Sequence, residues 1–225
     1  MHIWGSYFVH VPNQNERKFM SFDITQWIVR IPVLLFAITI HEYAHGWVAY
    51  RLGDPTAKNM GRLSFNPITH IDPLGAICLF LLNFGWAKPV PIDMRYFRNI
   101  RRDAILVSLA GPAANFCVAL LAGIVIRLIY FPSQLYQMTL VYLLIMNLGL
   151  GLFNLIPLPP LDGSHILENL LSPSAAMKFN RFKRYGPFIL IGVIMLDNFA
   201  HTGIFNMVLV HPMKYLAYLF SGINF

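Results

Sequence analysis

The feature that most constrains the fold is a run of 18 residues, Met138 to Leu155, that contains no charged side chain. A helix needs about 20 predominantly apolar residues to cross a bilayer, so this run is typical of a transmembrane helix. The composition agrees, because hydrophobic residues make up 56% of the chain and charged residues only 12%. Ordinary soluble domains have roughly a quarter of their residues charged. We therefore expect a polytopic membrane protein.

Two other segments are long enough to span. Trp27 to Tyr50 would form a helix of about 36 Å, and Ala104 to Tyr130 is apolar and rich in Gly and Ala, which favours close helix packing. Between them, residues 74–84 are apolar but too short to cross. The prolines of Lys88-Pro89-Val90-Pro91 exclude a helix interior. We therefore expect a short membrane re-entrant hairpin at about 74–92.

The C-terminal region, residues 186–222, contains two apolar stretches that are interrupted near Asp197 and His201. It fits one broken span, a hairpin of two spans, or one span plus a surface helix. We predict an all-α bundle of about 4–6 transmembrane helices, folded as a single domain over 1–225, with its core at about 27–171.

Basic residues in the loops predict the orientation of the chain. Segment 51–103 contains eight Lys and Arg residues, 131–137 contains none and 173–186 contains four. This alternation places the first and third segments in the cytoplasm and the N-terminus outside. Residues 1–23 lack the apolar core of a cleavable signal peptide. The net charge of +7 is best explained by contacts with anionic lipid headgroups and not with nucleic acid.

Near the end of the first span, His41-Glu42-Tyr43-Ala44-His45 fits the pattern H-E-x-x-H. Residues four apart lie on one helix face, so both imidazoles can bind one zinc ion. Glu42 lies beside that face, where it can take a proton from a zinc-activated water and return it to a leaving amine. The alternative is a helix end with two interfacial histidines. The cost of placing three polar side chains in a span favours the metal site.

A catalytic zinc ion has three protein ligands and one open position, so a third ligand must come from elsewhere. Asp162 closely follows the uncharged span. If the chain crosses from 104 and returns through 138–155, Asp162 emerges at the side on which His41 and His45 lie. Asp162 can also cap the helix that follows, and Glu168 is the alternative third ligand.

The HEYAH segment and the later segment Asn154 to Gly163 (NLIPLPPLDG) together resemble the site-2 protease family of intramembrane zinc metalloproteases. Residues 85–91 (GWAKPVP) and 110–115 (AGPAAN) resemble its small bacterial members. The likeness extends from about Trp27 to Leu171. It implies zinc ligands His41, His45 and Asp162, the catalytic acid and base Glu42, and a substrate- or oxyanion-positioning residue, Asn154. Asn115 and Asn147 fit packing or support behind the ligands.

The resemblance also implies regulated intramembrane proteolysis in the cell membrane, with the active site towards the cytoplasm and membrane proteins as substrates. The hairpin would be the place where an unwound substrate adds as a strand. No segment resembles the PDZ or CBS domains of larger members, so we expect substrate choice to depend on other partners or on the membrane core. The alternative is a channel or metal transporter lined by the same side chains, which would not need Glu42 as a base.

Overall fold

The computed structural model describes residues 24–82, 85–129 and 133–224, and most of these residues are in helices. Within those ranges, β-type pairing is limited to one antiparallel bridge between Ile71 and Ala87. The prediction of an all-α polytopic membrane protein is therefore confirmed, whereas the prediction about a signal peptide at 1–23 lies outside the described residues. The helices are α1 (Ile24–Arg51), α2 (Thr56–Asn59), α3 (Pro73–Leu82), α4 (Ile100–Leu128), α5 (Gln134–Asn154), α6 (Asp162–Leu170), α7 (Pro173–Lys183), α8 (Gly186–Ala200) and α9 (His211–Ser221).

Three of these helices, α1, α4 and α5, are long and apolar enough to cross a membrane. They contain 28, 29 and 21 residues, so even the shortest reaches about 32 Å at 1.5 Å per residue. Their outer faces carry large exposed apolar side chains, among them Phe36, Leu121 and Leu128. Such faces would be unfavourable in water but are suited to contact with lipid tails.

Small side chains let α4 pack closely against its neighbours. Ala119 and Ala122 of α4 are buried together with Leu144 and Leu148 of α5 and with Ala217 of α9. Gly123 lies so close to α9 that a β-carbon there would be 2.6 Å from Cβ of Phe220. The small residues predicted to mediate packing in this span therefore do so at these positions.

In the segment predicted as a re-entrant hairpin, Gly75 lies close to Trp86. Helix α3 occupies its first part, and the chain after Trp86 is extended, with the Lys88 amide donating to the His70 carbonyl at 2.9 Å. A β-carbon on Gly75 would lie 2.1 Å from the carbonyl oxygen of Trp86, so glycine is required where α3 meets the extended segment. The re-entrant hairpin itself, and its insertion into the bilayer, stay predictions.

The C-terminal region contains two helices and not one continuous span. Helix α8 has 15 residues, fewer than the roughly 20 that a span needs. The chain then breaks at His201 and Gly203, which both have positive φ, and passes through a π-helical turn at Asn206–Val210 into α9. Three spans are thus confirmed by length and composition, and any further span stays a prediction.

Candidate metal centre and active site

His41 and His45 lie one turn apart near the C-terminal end of α1, and both side chains are buried. Their ring centroids are 4.6 Å apart with the ring planes at 83°, and their Nε2 atoms are separated by 3.0 Å. The spacing of four residues places both on one helix face. The two imidazoles therefore point at one site, as the sequence predicts.

Asp162 reaches the same site from the N-terminal end of α6. Its Oδ2 atom lies 3.0 Å from Nε2 of His41 and 3.2 Å from Nε2 of His45. The adjacent Gly163 permits this position, because a β-carbon there would lie 2.2 Å from the carbonyl oxygen of Leu155. The glycine allows the start of α6 to pack against the end of α5, and this packing places Asp162 next to α1.

Hydrogen bonds behind the ligands fix which histidine nitrogens face the site. Asn115 lies within hydrogen-bond distance of the Ala37 carbonyl through Nδ2, at 3.0 Å. A carbonyl only accepts, so the NH₂ group of Asn115 must face the Ala37 carbonyl. The Oδ1 atom of Asn115 must then face Nδ1 of His41, 2.6 Å away. The proton of His41 is then on Nδ1. Nδ1 of His45 donates in the same way to the Val107 carbonyl at 2.6 Å, so both Nε2 atoms present lone pairs to the site.

The resulting donor set fits a divalent metal ion. Two imidazole lone pairs and a carboxylate oxygen converge within 3.2 Å of one another, and a cation between them would satisfy all three. Ligands about 2.0–2.1 Å from a tetrahedral zinc ion lie about 3.3 Å apart, which is close to the separations found here. In the described part of the chain, this trio is the set of His, Cys, Asp and Glu side chains that meets the spacing for a metal.

Helix α4 approaches the two imidazoles more closely than any residue except glycine would allow. A β-carbon on Gly111 would be 2.4 Å from Nε2 of His45 and 2.7 Å from Nε2 of His41. Gly111 and Asn115 are four residues apart, so they share the face of α4 that contacts α1. This face both makes room for the histidines and orients His41.

Asn115 also connects all three spans. Its Nδ2 donates to Oδ1 of Asn147 on α5 at 2.8 Å, and Nδ2 of Asn147 donates to the Leu143 carbonyl at 2.8 Å. Both asparagines are fully buried. Each of their amide groups is therefore hydrogen-bonded, as buried polar groups must be, and the position of His41 depends on the packing of α4 and α5.

Glu42 is held by a backbone amide of the extended segment after α3. Its Oε2 atom accepts a hydrogen bond from the Val90 N–H at 2.9 Å. Val90 has a proline on each side, and proline carries no N–H, so Val90 supplies the one amide donor of Pro89-Val90-Pro91. Arg62 fixes this segment, since its Nη2 donates to the carbonyls of Lys88 and Pro89 at 2.8 and 3.1 Å.

A cavity of about 300 Å³ opens beside the candidate ligands. It is bounded by Glu42, His45 and Asp162, by His165 of α6, and by Pro89 and Val90 of the extended segment. Glu42 therefore faces the same space as the metal-binding atoms. A water molecule or a peptide group in this cavity can reach both.

Asn154 and Glu168 lie elsewhere. Nδ2 of Asn154 donates to the Leu150 carbonyl of its own helix at 3.0 Å, and Asn154 is not among the residues that line the cavity. Glu168 forms an ion pair with Lys183 at 2.9 Å. It is not one of the three residues whose ligand atoms are close enough together to bind one metal ion. The role of Asn154 in positioning substrate stays a prediction.

Three features of the site have weak sequence signals. The sequence predicts only a helix-packing role for Gly111, because nothing in its spacing indicates that histidines lie against it. Two other contacts join residues far apart in the chain: Val90 contacts Glu42, and Arg62 contacts the extended segment after α3. The segment 110–115 does contain a usable signal, since Gly111 and Asn115 must share a helix face.

Comparisons with known proteins identify a family and several relatives of this chain. Residues 131–196 match the model of Peptidase family M50. The chain is 38% identical over 178 residues to "Putative zinc metalloprotease YwhC" of Bacillus subtilis (strain 168), covering 75% of this chain and 81% of that protein. It is 27% identical over 204 residues to "Putative zinc metalloprotease Rip2" of Mycolicibacterium smegmatis, covering 88% and 76%.

A more distant relative comes from an archaeon. "Zinc metalloprotease MJ0392" of Methanocaldococcus jannaschii is 26% identical over 147 residues, which cover 65% of this chain and 35% of that protein. No solved structure matches the chain.

Proposed function

Because the chain belongs to peptidase family M50, the site-2 protease family, we propose that it is a zinc-dependent endopeptidase that hydrolyses peptide bonds of transmembrane or membrane-tethered proteins. The observation that carries the proposal is the convergence of His41, His45 and Asp162 next to a cavity that is lined by His45, Asp162 and Glu42. Both histidines lie on α1, and Gly111 and Asn115 beside them lie on α4; both helices are long and apolar enough to span a bilayer. Its relatives are named as zinc metalloproteases.

We assign the metal ligands to Nε2 of His41, Nε2 of His45 and a carboxylate oxygen of Asp162. When bound, zinc lowers the pKa of a water molecule to about 7 and polarises the scissile carbonyl. Asn115 and the Val107 carbonyl keep both histidines in the tautomer that presents Nε2. Such support behind the ligands raises their basicity and fixes their orientation.

Glu42 performs the proton transfers in this proposal. It accepts a proton from the attacking water and delivers it to the leaving amine as the peptide bond breaks. The Val90 N–H occupies Oε2, so we assign the transfers to Oε1. A carboxylate held by a backbone amide keeps one orientation through both steps, which favours a general base that must later act as an acid.

The substrate must expose its scissile carbonyl, which a hydrogen-bonded helix shields. Local unwinding is therefore required, and Gly or Pro near the cleaved bond would assist it. We propose that the site faces the cytoplasmic side of the cell membrane, with the N-terminus outside, since the Lys- and Arg-rich segments 51–103 and 173–186 flank it. We also propose that 1–225 form one domain, with catalytic residues within 27–171 and one or more membrane segments at 186–222.

The test uses the full chain in lipid vesicles with model transmembrane peptides that carry a Gly-Pro pair near one end. Wild type should cleave at least one peptide, with fragments identified by mass spectrometry. Glu42→Gln should retain its zinc yet lose cleavage by at least about 10²-fold. Asp197→Asn, a carboxylate-to-amide change outside the cavity, is the control and should cleave normally. Metal transport that survives in Glu42→Gln, without cleavage by wild type, would favour a transporter.

A further inference from the structure

His165 is a further polar group of the cavity that the proposed chemistry leaves without a role. It lies on α6 three residues after Asp162, nearly one turn along the same helix. It lines the cavity together with Glu42 and His45. Among the described residues, however, it does not belong to the metal-spaced trio. Its imidazole therefore faces the reaction space without being a candidate ligand.

The neighbouring helix α7 fixes the tautomer of His165. Nζ of Lys183 lies 3.3 Å from Nδ1 of His165 and 2.9 Å from Oε2 of Glu168. An ammonium group has only donors, so Nδ1 must accept and the ring proton must be on Nε2. Glu168, one turn after His165 on α6, anchors Lys183 in the position from which it donates.

The same surroundings keep the ring neutral. Burial, together with the positive charge of Lys183, lowers the pKa of His165 below its ordinary value. A neutral imidazole with a fixed N–H is a hydrogen-bond donor that does not release its proton near neutral pH. Donors fixed in a water-poor site are the most effective stabilisers of charge that develops during a reaction.

We propose that His165 is a catalytic residue, whose Nε2–H donates a hydrogen bond to the scissile carbonyl oxygen, and that Lys183 and Glu168 position it. The inference rests on the proposed protease function. As the water oxygen bonds to the carbonyl carbon, the carbonyl π electrons move onto oxygen, and His165 stabilises that negative charge. No proton leaves His165, because Glu42 moves the water proton to the leaving nitrogen. The two side chains thus have separate tasks.

Asn154 is the other candidate for this task, and the geometry favours His165. The amide of Asn154 donates to the carbonyl of Leu150 on its own helix, whereas His165 lines the cavity and has Nε2–H available. The two assignments differ in their consequences. Replacing His165 should reduce turnover much more than replacing Asn154.

The test compares His165→Ala, His165→Gln, Lys183→Met and Asn154→Ala, with His211→Ala as a control on the exposed start of α9. Cleavage of the same model peptides, bound zinc and the histidine tautomer are measured; the tautomer is read from long-range ¹H–¹⁵N spectra. We expect His165→Ala to lose about 10²–10³-fold in kcat with zinc content and KM nearly unchanged. His165→Gln should recover at least tenfold of that loss, because its amide can donate to the same oxygen.

The spectra provide a readout that is independent of cleavage. The His165 signal, identified by its loss in His165→Ala, should show the proton on Nε2 in wild type and a mixture of tautomers in Lys183→Met. A proton on Nδ1 in wild type would overturn the proposal.

Kinetics separate failure of this inference from failure of the proposed function. Active wild type with His165→Ala within threefold of it would overturn the role of His165 alone. Loss of zinc in His165→Ala, or equal losses in the Ala and Gln variants, would also overturn it. Wild type that binds zinc but cleaves none of the peptides would overturn the protease function and this role together.

Discussion

The backbone nitrogen of Val90 lies 2.9 Å from Oε2 of Glu42. This contact joins the extended segment after α3 to the candidate general base. Arg62 stabilises the segment through the carbonyls of Lys88 and Pro89. Gly46, one turn after Glu42, makes room for the Val90 side chain, since a β-carbon on Gly46 would be 3.1 Å from Cγ1 of Val90. The orientation of Glu42 therefore depends on a loop that is 48 residues away in the chain.

Replacing Arg62 should reduce activity without removing the metal. Arg62→Gln cannot span both carbonyls, so the segment loosens and Glu42 loses its fixed orientation. We expect kcat to fall at least tenfold, which corresponds to about 1.4 kcal/mol in the barrier, with one zinc still bound per chain. Steady-state cleavage and metal analysis measure the two effects. Arg101→Gln, on the exposed first turn of α4, should behave as wild type, and equal activity in both variants would contradict this role.

Removing the amide behind His41 should weaken zinc binding. Asn115→Leu keeps the number and branching of side-chain heavy atoms but leaves Nδ1 of His41 without an acceptor, so the ligand loses its fixed tautomer. Changes of this kind cost about 10–100-fold in metal affinity, which a competition titration with a chelator measures. Asn147→Leu should cost less, because Asn115 keeps both His41 and Ala37 as partners. A larger loss in Asn147→Leu than in Asn115→Leu would show that the network does not act through His41.

A single methyl group on α4 should disrupt the metal site. Gly111→Ala places a carbon 2.4 Å from Nε2 of His45, so either α4 or both imidazoles must move. We expect at least tenfold weaker zinc binding and a lower melting temperature. Gly192→Ala is the matched control, because a β-carbon there meets nothing within 4 Å. Alanine is favoured over glycine in a helix by roughly 0.5–1 kcal/mol, so Gly192→Ala should melt at the same or a slightly higher temperature, and a similar loss in both variants would refute the steric explanation.

Local patterns are sufficient to predict the three spanning helices and the imidazole pair. The first span was expected at Trp27 to Tyr50 and is found at Ile24–Arg51, and the uncharged run matches α5 closely. The spacing of His41 and His45 determines their common face because helix geometry is regular. Asp162 was a topological inference, since two crossings between 104 and 155 return the chain to the side on which it started.

Contacts between distant segments were beyond such patterns. No periodicity indicates that Arg62 should hold two carbonyls near Val90, or that Gly111 should face histidines instead of lipid. These contacts depend on how α4 rotates against α1 and on the path of a proline-rich loop, both of which packing determines. The break at His201 likewise separates α8 from α9 with no signal stronger than a polar interruption of an apolar stretch.

The central claim is that Asp162 completes a zinc site with His41 and His45, and metal content tests it most directly. Zinc is measured by mass spectrometry after equal dialysis of wild type, Asp162→Ala and Asp197→Asn. We predict one zinc per chain in wild type and in Asp197→Asn, and less than about a tenth of that in Asp162→Ala, since two imidazoles alone bind zinc weakly compared with a three-ligand site. Full zinc content in Asp162→Ala would contradict the account.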